Sequence, residues 1–252
     1  MSTIAVDVAF ELPATLAARA VALNDAFAER LARGGSRAAF TFRDGAVPHV
    51  SLFMLAVEEH EVDAVLAAVR PLAGRHAPIR ALGEAYRHNP YGAPELFFAR
   101  TPAWHALQRA VIAAVEPLRR GRLRTADPSG AVLAELVDRL AADDPTDAQF
   151  RQLRRYGYDE VSDADGDRFH PHVTLAWPVE GQVGGGLNGR RVSFEGLADP
   201  GEFSATLGEL GVFRMGGYGT CVQRYGRHAL TGPDPADPAA ARPDRSRPGG
   251  SD

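Results

Sequence analysis

The chain of 252 residues is 45% hydrophobic and 24% charged, so it is long enough to bury a substantial core as one large or two-lobed domain. Its net charge of -4 argues against a general nucleic-acid coat, and no apolar run of about 18 residues predicts a membrane span. The single cysteine, Cys221, excludes an internal disulfide and a zinc site built from cysteines.

The N-terminal half alternates strand patterns with helix patterns. Its opening residues, MSTIAVDVAFELP, lack the charged and then apolar layout of a secretory signal, so we expect a cytoplasmic protein. Apolar residues at helical spacing predict three amphipathic helices, over residues 14–33, 61–75 and 102–120. Runs rich in β-formers predict four strands, over residues 3–12, 47–57, 79–88 and 95–101.

Residues 121–165 differ in character and predict a connector between the two halves. Two short helices are predicted within it, over 131–142 and 147–157, followed by an acidic turn at 159–167. Strands are then predicted over residues 170–179, 190–197, 204–214 and 221–230, with a Gly-rich turn at 184–186. Residues 231–252 have almost nothing to bury. We therefore predict one bilobal domain over residues 1–230, followed by a disordered tail.

One pentapeptide pattern occurs twice, as PHVSL from Pro48 and as PHVTL from Pro171. Each copy falls on a predicted strand, one in each half of the chain. Alternate residues of a strand share a face, so His49 lies beside Ser51, and His172 beside Thr174, while the opposite faces are apolar. A single copy is readily explained as a buried strand with a tolerated histidine. Two matching copies favour a common groove in which each strand contributes one imidazole and one hydroxyl.

The pair HVSL and HVTL resembles the two H-x-[ST]-h signatures, with h apolar, of the two-histidine (2H) phosphoesterase superfamily. That superfamily includes the 2′-5′ RNA ligase-like proteins and the cyclic nucleotide phosphodiesterases. The order of elements is also similar from residue 4 to residue 230. Two features depart from the family pattern: the connector is longer than a compact member needs, and Ser51 stands where threonine is more usual.

The resemblance implies an α+β fold of two lobes with pseudo-twofold symmetry, in which two antiparallel sheets form a central cleft and helices pack outside. It also implies metal-independent hydrolysis of a 2′,3′-cyclic phosphate or a 2′-5′ ribose phosphodiester, without a cofactor. His49 and His172 would be the general acid and base, while Ser51 and Thr174 would donate hydrogen bonds to the non-bridging oxygens. The sequence leaves open which histidine is the acid.

Four further residues are candidate contacts for the substrate. Phe53 shares the predicted face of His49 and is placed either to stack on a nucleobase or to pack in the core. His170 shares the face of His172, and without a third ligand at a recognisable spacing we predict a groove-edge residue and no metal site. Tyr86 and Tyr91 flank a predicted turn that forms either a cleft rim or an ordinary solvated turn.

We expect the partner to be a nucleotide or RNA substrate, and the protein to be a monomer without a membrane or protein partner. The chain contains no lysine, so arginine is its only permanently charged phosphate ligand. The basic runs at 119–124 and 151–157 lie close to acidic residues and are interpreted mostly as solvated helix faces. The competing hypothesis is a non-catalytic module of the same fold that binds a nucleotide or a protein in the cleft.

Overall fold

The structure is a computed structural model that describes residues 2–180 and 191–233. The predicted Gly-rich turn at 184–186 and residues 234–252 of the predicted tail lie outside the described residues. The described chain contains five α-helices: α1 Ala14–Arg33, α2 Val62–Ala73, α3 Pro102–Arg119, α4 Leu133–Asp143 and α5 Ala148–Tyr156. It also contains thirteen strands: β1 Thr3–Glu11, β2 Ser36–Ala38, β3 His49–Glu58, β4 Ile79–Ala81, β5 Gly83–His88, β6 Pro94–Phe98, β7 Ser162–Asp163, β8 Gly166–Asp167, β9 His172–Thr174, β10 Pro178–Glu180, β11 Ala205–Leu207, β12 Glu209–Met215 and β13 Cys221–Ala229.

Two antiparallel sheets position the repeated motifs. The first sheet has the strand order β13-β12-β1-β3, and the second has the order β5-β6-β9. Smaller pairs join β10 to β2, β11 to β4 and β7 to β8. The first sheet therefore combines strands from both ends of the chain, whereas the second comes from the middle. The two motifs lie on different sheets as predicted, but the sheets do not correspond to consecutive halves of the sequence.

Helices α2 and α3 pack on the face of the first sheet that points away from the repeated motifs. Their buried residues recur at helical spacing, and Trp104 of α3 meets Phe10 of β1 edge to face, with ring centroids 5.5 Å apart. Both side chains are fully buried, and each burial of this kind contributes about 1.5–3 kcal/mol. One contiguous apolar core continues from this layer to Leu96 and Val173 of the second sheet.

A buried asparagine ties α1 to the strand of the second motif. The Asn24 amide donates to the carbonyl of Leu175 at 2.7 Å, just beyond β9, and its oxygen accepts from the backbone N–H of Phe42 at 3.1 Å. A polar group at this depth is tolerated because it is hydrogen-bonded on both sides. The second motif is therefore held by a helix as well as by its sheet.

Most of the predicted elements are confirmed, and all five predicted helices end within two residues of their predicted bounds. The strand predicted over 190–197 is wrong for its described part, which is irregular. Arg30 donates to the carbonyls of Ser193 and Glu195, and His88 donates to that of Val192, so side chains bind these backbone groups in place of a neighbouring strand.

Thr231 and Gly232, predicted to belong to the tail, contact the chain at the end of α2. The N–H of Thr231 donates to Ala73 at 2.8 Å, and that of Gly232 donates to His76 at 3.0 Å. The connector forms α4 and α5 around a small apolar cluster of its own, which contains Leu133, Leu136 and Leu153. Within residues 2–180 and 191–233, no helix is both long and apolar enough to cross a membrane.

Candidate active site

A cavity of about 350 Å³ lies between the two sheets and is lined by both repeated motifs. His49 and Ser51 reach it from β3, and His172 and Thr174 reach it from β9. A second cavity of about 450 Å³, beside the end of α1, is lined by neither motif. The fold therefore brings both imidazoles and both hydroxyls to one cleft.

The first half-site consists of Asp7, His49 and Ser51. His49 Nδ1 lies 2.7 Å from the carbonyl oxygen of Val47; Nδ1–H therefore donates there, and Nε2 keeps its lone pair when the ring is neutral. Nε2 is 3.7 Å from Asp7 Oδ2, which accepts a hydrogen bond from Ser51 Oγ at 2.6 Å. Burial raises the pKa of the Asp7 carboxyl, although the nearby imidazole and hydroxyl act in the opposite direction.

The second half-site consists of Glu95, His172 and Thr174 and repeats this arrangement. His172 Nδ1 lies 2.7 Å from the carbonyl oxygen of His170, and Nε2 lies 3.7 Å from Glu95 Oε1. Thr174 Oγ1 donates to the same carboxylate oxygen at 3.5 Å. Each half-site therefore joins an imidazole and a hydroxyl on one strand to a buried carboxylate on the neighbouring strand.

A second carboxylate distinguishes the surroundings of His172. Glu160 Oε2, from the connector, lies 3.9 Å from His172 Nδ1. Burial by itself would lower the pKa of His172, but the charges of Glu95 and Glu160 outweigh it and raise that pKa to about 9. Enclosure in the cleft raises the pKa of Glu160 to about 7. The two carboxylates therefore favour the imidazolium form of His172.

Arg124 adds a buried cation to the cavity wall. Its side chain is 5% exposed, and its Nη1 lies 3.5 Å from the thioether of Met54. Among the described residues its Nε has no hydrogen-bond partner and its guanidinium forms no salt bridge. Removing such a charge from water costs several kcal/mol, which an anion entering the cavity would offset. The buried guanidinium of Arg124 therefore makes this cavity suited to an anionic ligand.

The position of Arg124 corrects the interpretation of residues 119–124 as a solvated helix face. Helix α3 ends where Arg120 adopts the left-handed conformation at φ 50°, and Gly121 continues the turn at φ 75°. The chain then folds back over the cleft and buries Arg124. Arg119 is buried as well and donates to the carbonyls of Arg122 and Arg155.

Phe53 does not lie on the predicted face of β3. Ala9 pairs with Ser51 and Val8 pairs with Phe53, so Leu52 is an additional residue that forms a β-bulge. The bulge reverses the alternation, and Phe53 is fully buried against Tyr158, with ring centroids 5.8 Å apart. Phe53 therefore takes the core alternative, and Met54 lines the cavity instead.

Tyr86 and His170 also lie outside the cavity. Tyr86 pairs with Leu96 on the face of the second sheet away from the cleft, and its hydroxyl donates to the carbonyl of Ala198 at 3.1 Å. His170 packs edge to face against Phe97, with ring centroids 5.9 Å apart, and burial lowers its pKa. Neither residue lines this cavity, so their predicted contact with the substrate stays a prediction.

Tyr91 lines the cavity and belongs to an aromatic wall. Its hydroxyl donates to Asp127 at 3.1 Å, and its ring centroid is 5.7 Å from that of Trp177. Trp177 is buried and lines the cavity, and its ring centroid is 6.0 Å from that of Tyr218. Such a wall offers flat apolar surface of the kind on which nucleobases stack.

Sequence reasoning missed four charged residues of the site: Asp7, Glu95, Arg124 and Glu160. Asp7 did leave a signal, because it interrupts the otherwise apolar run AVDVAF, and a charge inside a buried strand requires a partner. The other three are ordinary in their local sequence. Glu95 reaches the site because β6 pairs with β9, and Arg124 and Glu160 reach it because the connector folds back against the cavity.

The described fold is similar to that of TT0787 of Thermus thermophilus, with a TM-score of 0.51 and 18% identity over 91% of this chain and 99% of that one. Escherichia coli LigT complexed with 3′-AMP has a TM-score of 0.48 and 16% identity at the same coverage, and a protein described as a phosphoesterase has 0.48 and 15%. No family model and no curated protein matches the sequence. The predicted α+β fold, with two antiparallel sheets around a cleft, is confirmed.

Proposed function

We propose that this chain is a metal-independent 2H phosphoesterase that hydrolyses a 2′,3′-cyclic phosphate or a 2′-5′ ribose phosphodiester. The main support is the convergence of two histidine and hydroxyl pairs, from two separate sheets, on one cavity. An RNA end, an oligonucleotide and a small cyclic nucleotide all carry such a bond. The aromatic wall of Tyr91, Trp177 and Tyr218 supports a nucleoside substrate because it provides a stacking surface beside the histidines.

The phosphate would lie between the two half-sites. The hydroxyls of Ser51 and Thr174 would turn from their carboxylate partners towards the non-bridging oxygens, where negative charge increases in the transition state. The Arg124 guanidinium, whose Nε–H has no hydrogen-bond partner among the described residues, would bind the same phosphate, and the incoming anion would offset the cost of the buried cation. Arginine fills this role because the chain has no lysine.

We assign His172 as the general acid and His49 as the general base. His172 lies beside two carboxylates, which raise its pKa to about 9 and so favour the imidazolium form. His49 lies beside Asp7 alone, whose pKa is raised by burial and which also interacts with the charge of Arg124. A histidine that already holds a proton is ready to donate it, whereas a base needs a free lone pair.

The reaction then takes one step of proton transfer on each side of the phosphorus. His49 Nε2 accepts a proton from water while the water oxygen forms a bond to phosphorus. The bond from phosphorus to the ribose oxygen breaks, and the His172 imidazolium donates its proton to the departing alkoxide. Exchange with solvent restores both histidines to their starting states.

Hydrolysis of 2′,3′-cyclic AMP and of a 2′-5′-linked diadenosine in the presence of EDTA tests this function. We expect turnover of at least one substrate that EDTA does not abolish, because no step requires a metal. Loss of turnover on chelation would contradict the metal-independent mechanism. Binding of the nucleotides without turnover of either would favour the non-catalytic module.

A further inference from the structure

Asp7, His49 and Cys221 converge on one point of the first sheet from three different strands. One potential ligand atom from each, a carboxylate oxygen, an imidazole nitrogen and the thiol sulfur, lie within 4.8 Å of one another. Cys221 Sγ is 3.8 Å from Asp7 Oδ2, and His49 Nε2 is 3.7 Å from the same oxygen. Asp7 is fully buried, and its Oδ1 has no hydrogen-bond partner among the described residues. The cluster therefore contains a buried oxygen that lacks a partner.

The two distances to Asp7 Oδ2, 3.7 Å from His49 and 3.8 Å from Cys221, match the ligand spacing of a tetrahedral metal ion. Zinc lies about 2.0–2.3 Å from nitrogen, oxygen and sulfur ligands, which places two ligands of a tetrahedron roughly 3.3–3.8 Å apart. His49 also has the arrangement typical of metal-binding histidines, because Nδ1–H donates to a backbone carbonyl and leaves Nε2 free. Three protein ligands would leave one position for water or a phosphate oxygen.

We propose that Asp7, His49 and Cys221 form a binding site for Zn²⁺ or another thiophilic divalent cation, and that the bound ion blocks hydrolysis. The inhibitory part rests on the proposed function, whereas the binding part does not. On ligation the Cys221 thiol releases its proton to solvent, and the thiolate bonds to the metal. His49 Nε2 gives its lone pair to the metal and no longer accepts a proton from water.

The ligand set also determines which cations the site selects. Thiolate and imidazole ligands favour Zn²⁺, Co²⁺ and Cd²⁺, whereas Mg²⁺ and Ca²⁺ prefer oxygen ligands, of which this site offers one side chain. The carboxylate and the thiolate together balance the charge of a divalent ion, so the nearby Arg124 would face a neutral centre. Within the described residues the second half-site has no cysteine, and the cation should select the first half-site.

Titration of the full chain with Co²⁺ tests binding without reference to activity. We expect a thiolate-to-cobalt absorption band in the near ultraviolet for the wild type. The band should be lost in Cys221→Ser, which keeps the size of the side chain, and in His49→Ala. His172→Ala is the matched control and should retain it. A folded wild type without this band, or a band that persists in Cys221→Ser, would overturn the proposal.

Zinc inhibition tests the second part. Zn²⁺ should abolish hydrolysis of 2′,3′-cyclic AMP, EDTA should restore it, and Mg²⁺ should have no effect. Cys221→Ser should hydrolyse the substrate and resist Zn²⁺; its thermal unfolding shows whether it is folded. If Zn²⁺ left hydrolysis by the wild type unchanged, the inhibitory part of the proposal would be wrong. A cobalt band in a chain that turns over neither substrate would overturn the proposed function and leave the metal site standing.

Discussion

In the first half-site His49 has one carboxylate neighbour, Asp7, whereas in the second His172 has two, Glu95 and Glu160. The backbone contacts of the two imidazoles are alike, because each Nδ1 lies 2.7 Å from the carbonyl oxygen two residues earlier. The difference comes from the connector, which brings the Glu160 carboxylate to His172 and the Arg124 guanidinium to the side of Asp7. The connector thus adds a carboxylate to one half-site and a guanidinium to the other, although the two half-sites are otherwise similar.

The largest expected effect is the loss of either imidazole. His49→Ala and His172→Ala should each reduce kcat/KM for 2′,3′-cyclic AMP by about 10²- to 10⁴-fold, the scale of general acid–base catalysis. His60→Ala, at an exposed position, is the control and should keep full activity. A folded variant of either motif that retained wild-type turnover would remove that histidine from the mechanism.

The second-largest effect should come from removal of the buried cation, Arg124. Arg124→Met should lower kcat by about 10²- to 10³-fold, the usual cost of removing one donor to a transition-state anion. The same variant should be more stable to thermal unfolding, because an apolar side chain replaces an unpaired buried charge. Arg139→Met, at an exposed site of α4, should change neither quantity. Lower stability together with unchanged kcat would show that Arg124 is structural.

The two hydroxyls should have smaller and similar effects. Ser51→Ala and Thr174→Val each remove one hydrogen bond to a charged group, worth about 1.5–3 kcal/mol, and should reduce kcat/KM by about 10- to 10²-fold. Steady-state kinetics of both variants with the same substrate gives the two kcat/KM values to be compared. A large effect at one position and none at the other would mean that the phosphate contacts only one half-site.

The smallest expected effect is a shift in pH dependence. The imidazolium of His172 is the active form, and its pKa of about 9 means that kcat/KM should fall as pH rises through that value. Glu160→Gln replaces a charge that stabilises the imidazolium, so the pKa of His172 falls and the alkaline limb moves to lower pH. Glu135→Gln, exposed on α4, should leave the limb in place. If Glu160→Gln left the alkaline limb in place, Glu160 would not be the residue that raises the pKa of the general acid.

The elements that sequence patterns predict well are those governed by local periodicity. The three long helices follow from apolar spacing, and the faces of His49 and Ser51 follow from strand alternation as far as Ser51. The bulge at Leu52 is not visible in that alternation, because its neighbours are apolar on both sides and the extra residue is defined by pairing with β1. Strand alternation therefore places Phe53 on the wrong face.

The remainder of the site depends on contacts between distant parts of the chain. Cys221 reaches Asp7 because β13 and β12 return to the sheet of β1, and no local signal in the sequence predicts that pairing. Arg124 reaches the cavity because the chain reverses at Arg120 and Gly121. The sequence therefore predicts the groups that are repeated, and the structure adds the charges that make the repeats unequal.

The leaving-group dependence of the two histidine variants tests the assignment of acid and base most directly. A nitrophenolate leaves without a proton, so a nucleoside nitrophenyl phosphodiester needs a base but no acid. We predict that His172→Ala is impaired on 2′,3′-cyclic AMP but turns over the nitrophenyl substrate at nearly the wild-type rate. His49→Ala should be impaired on both substrates. Recovery of His49→Ala with continued impairment of His172→Ala would contradict the assignment.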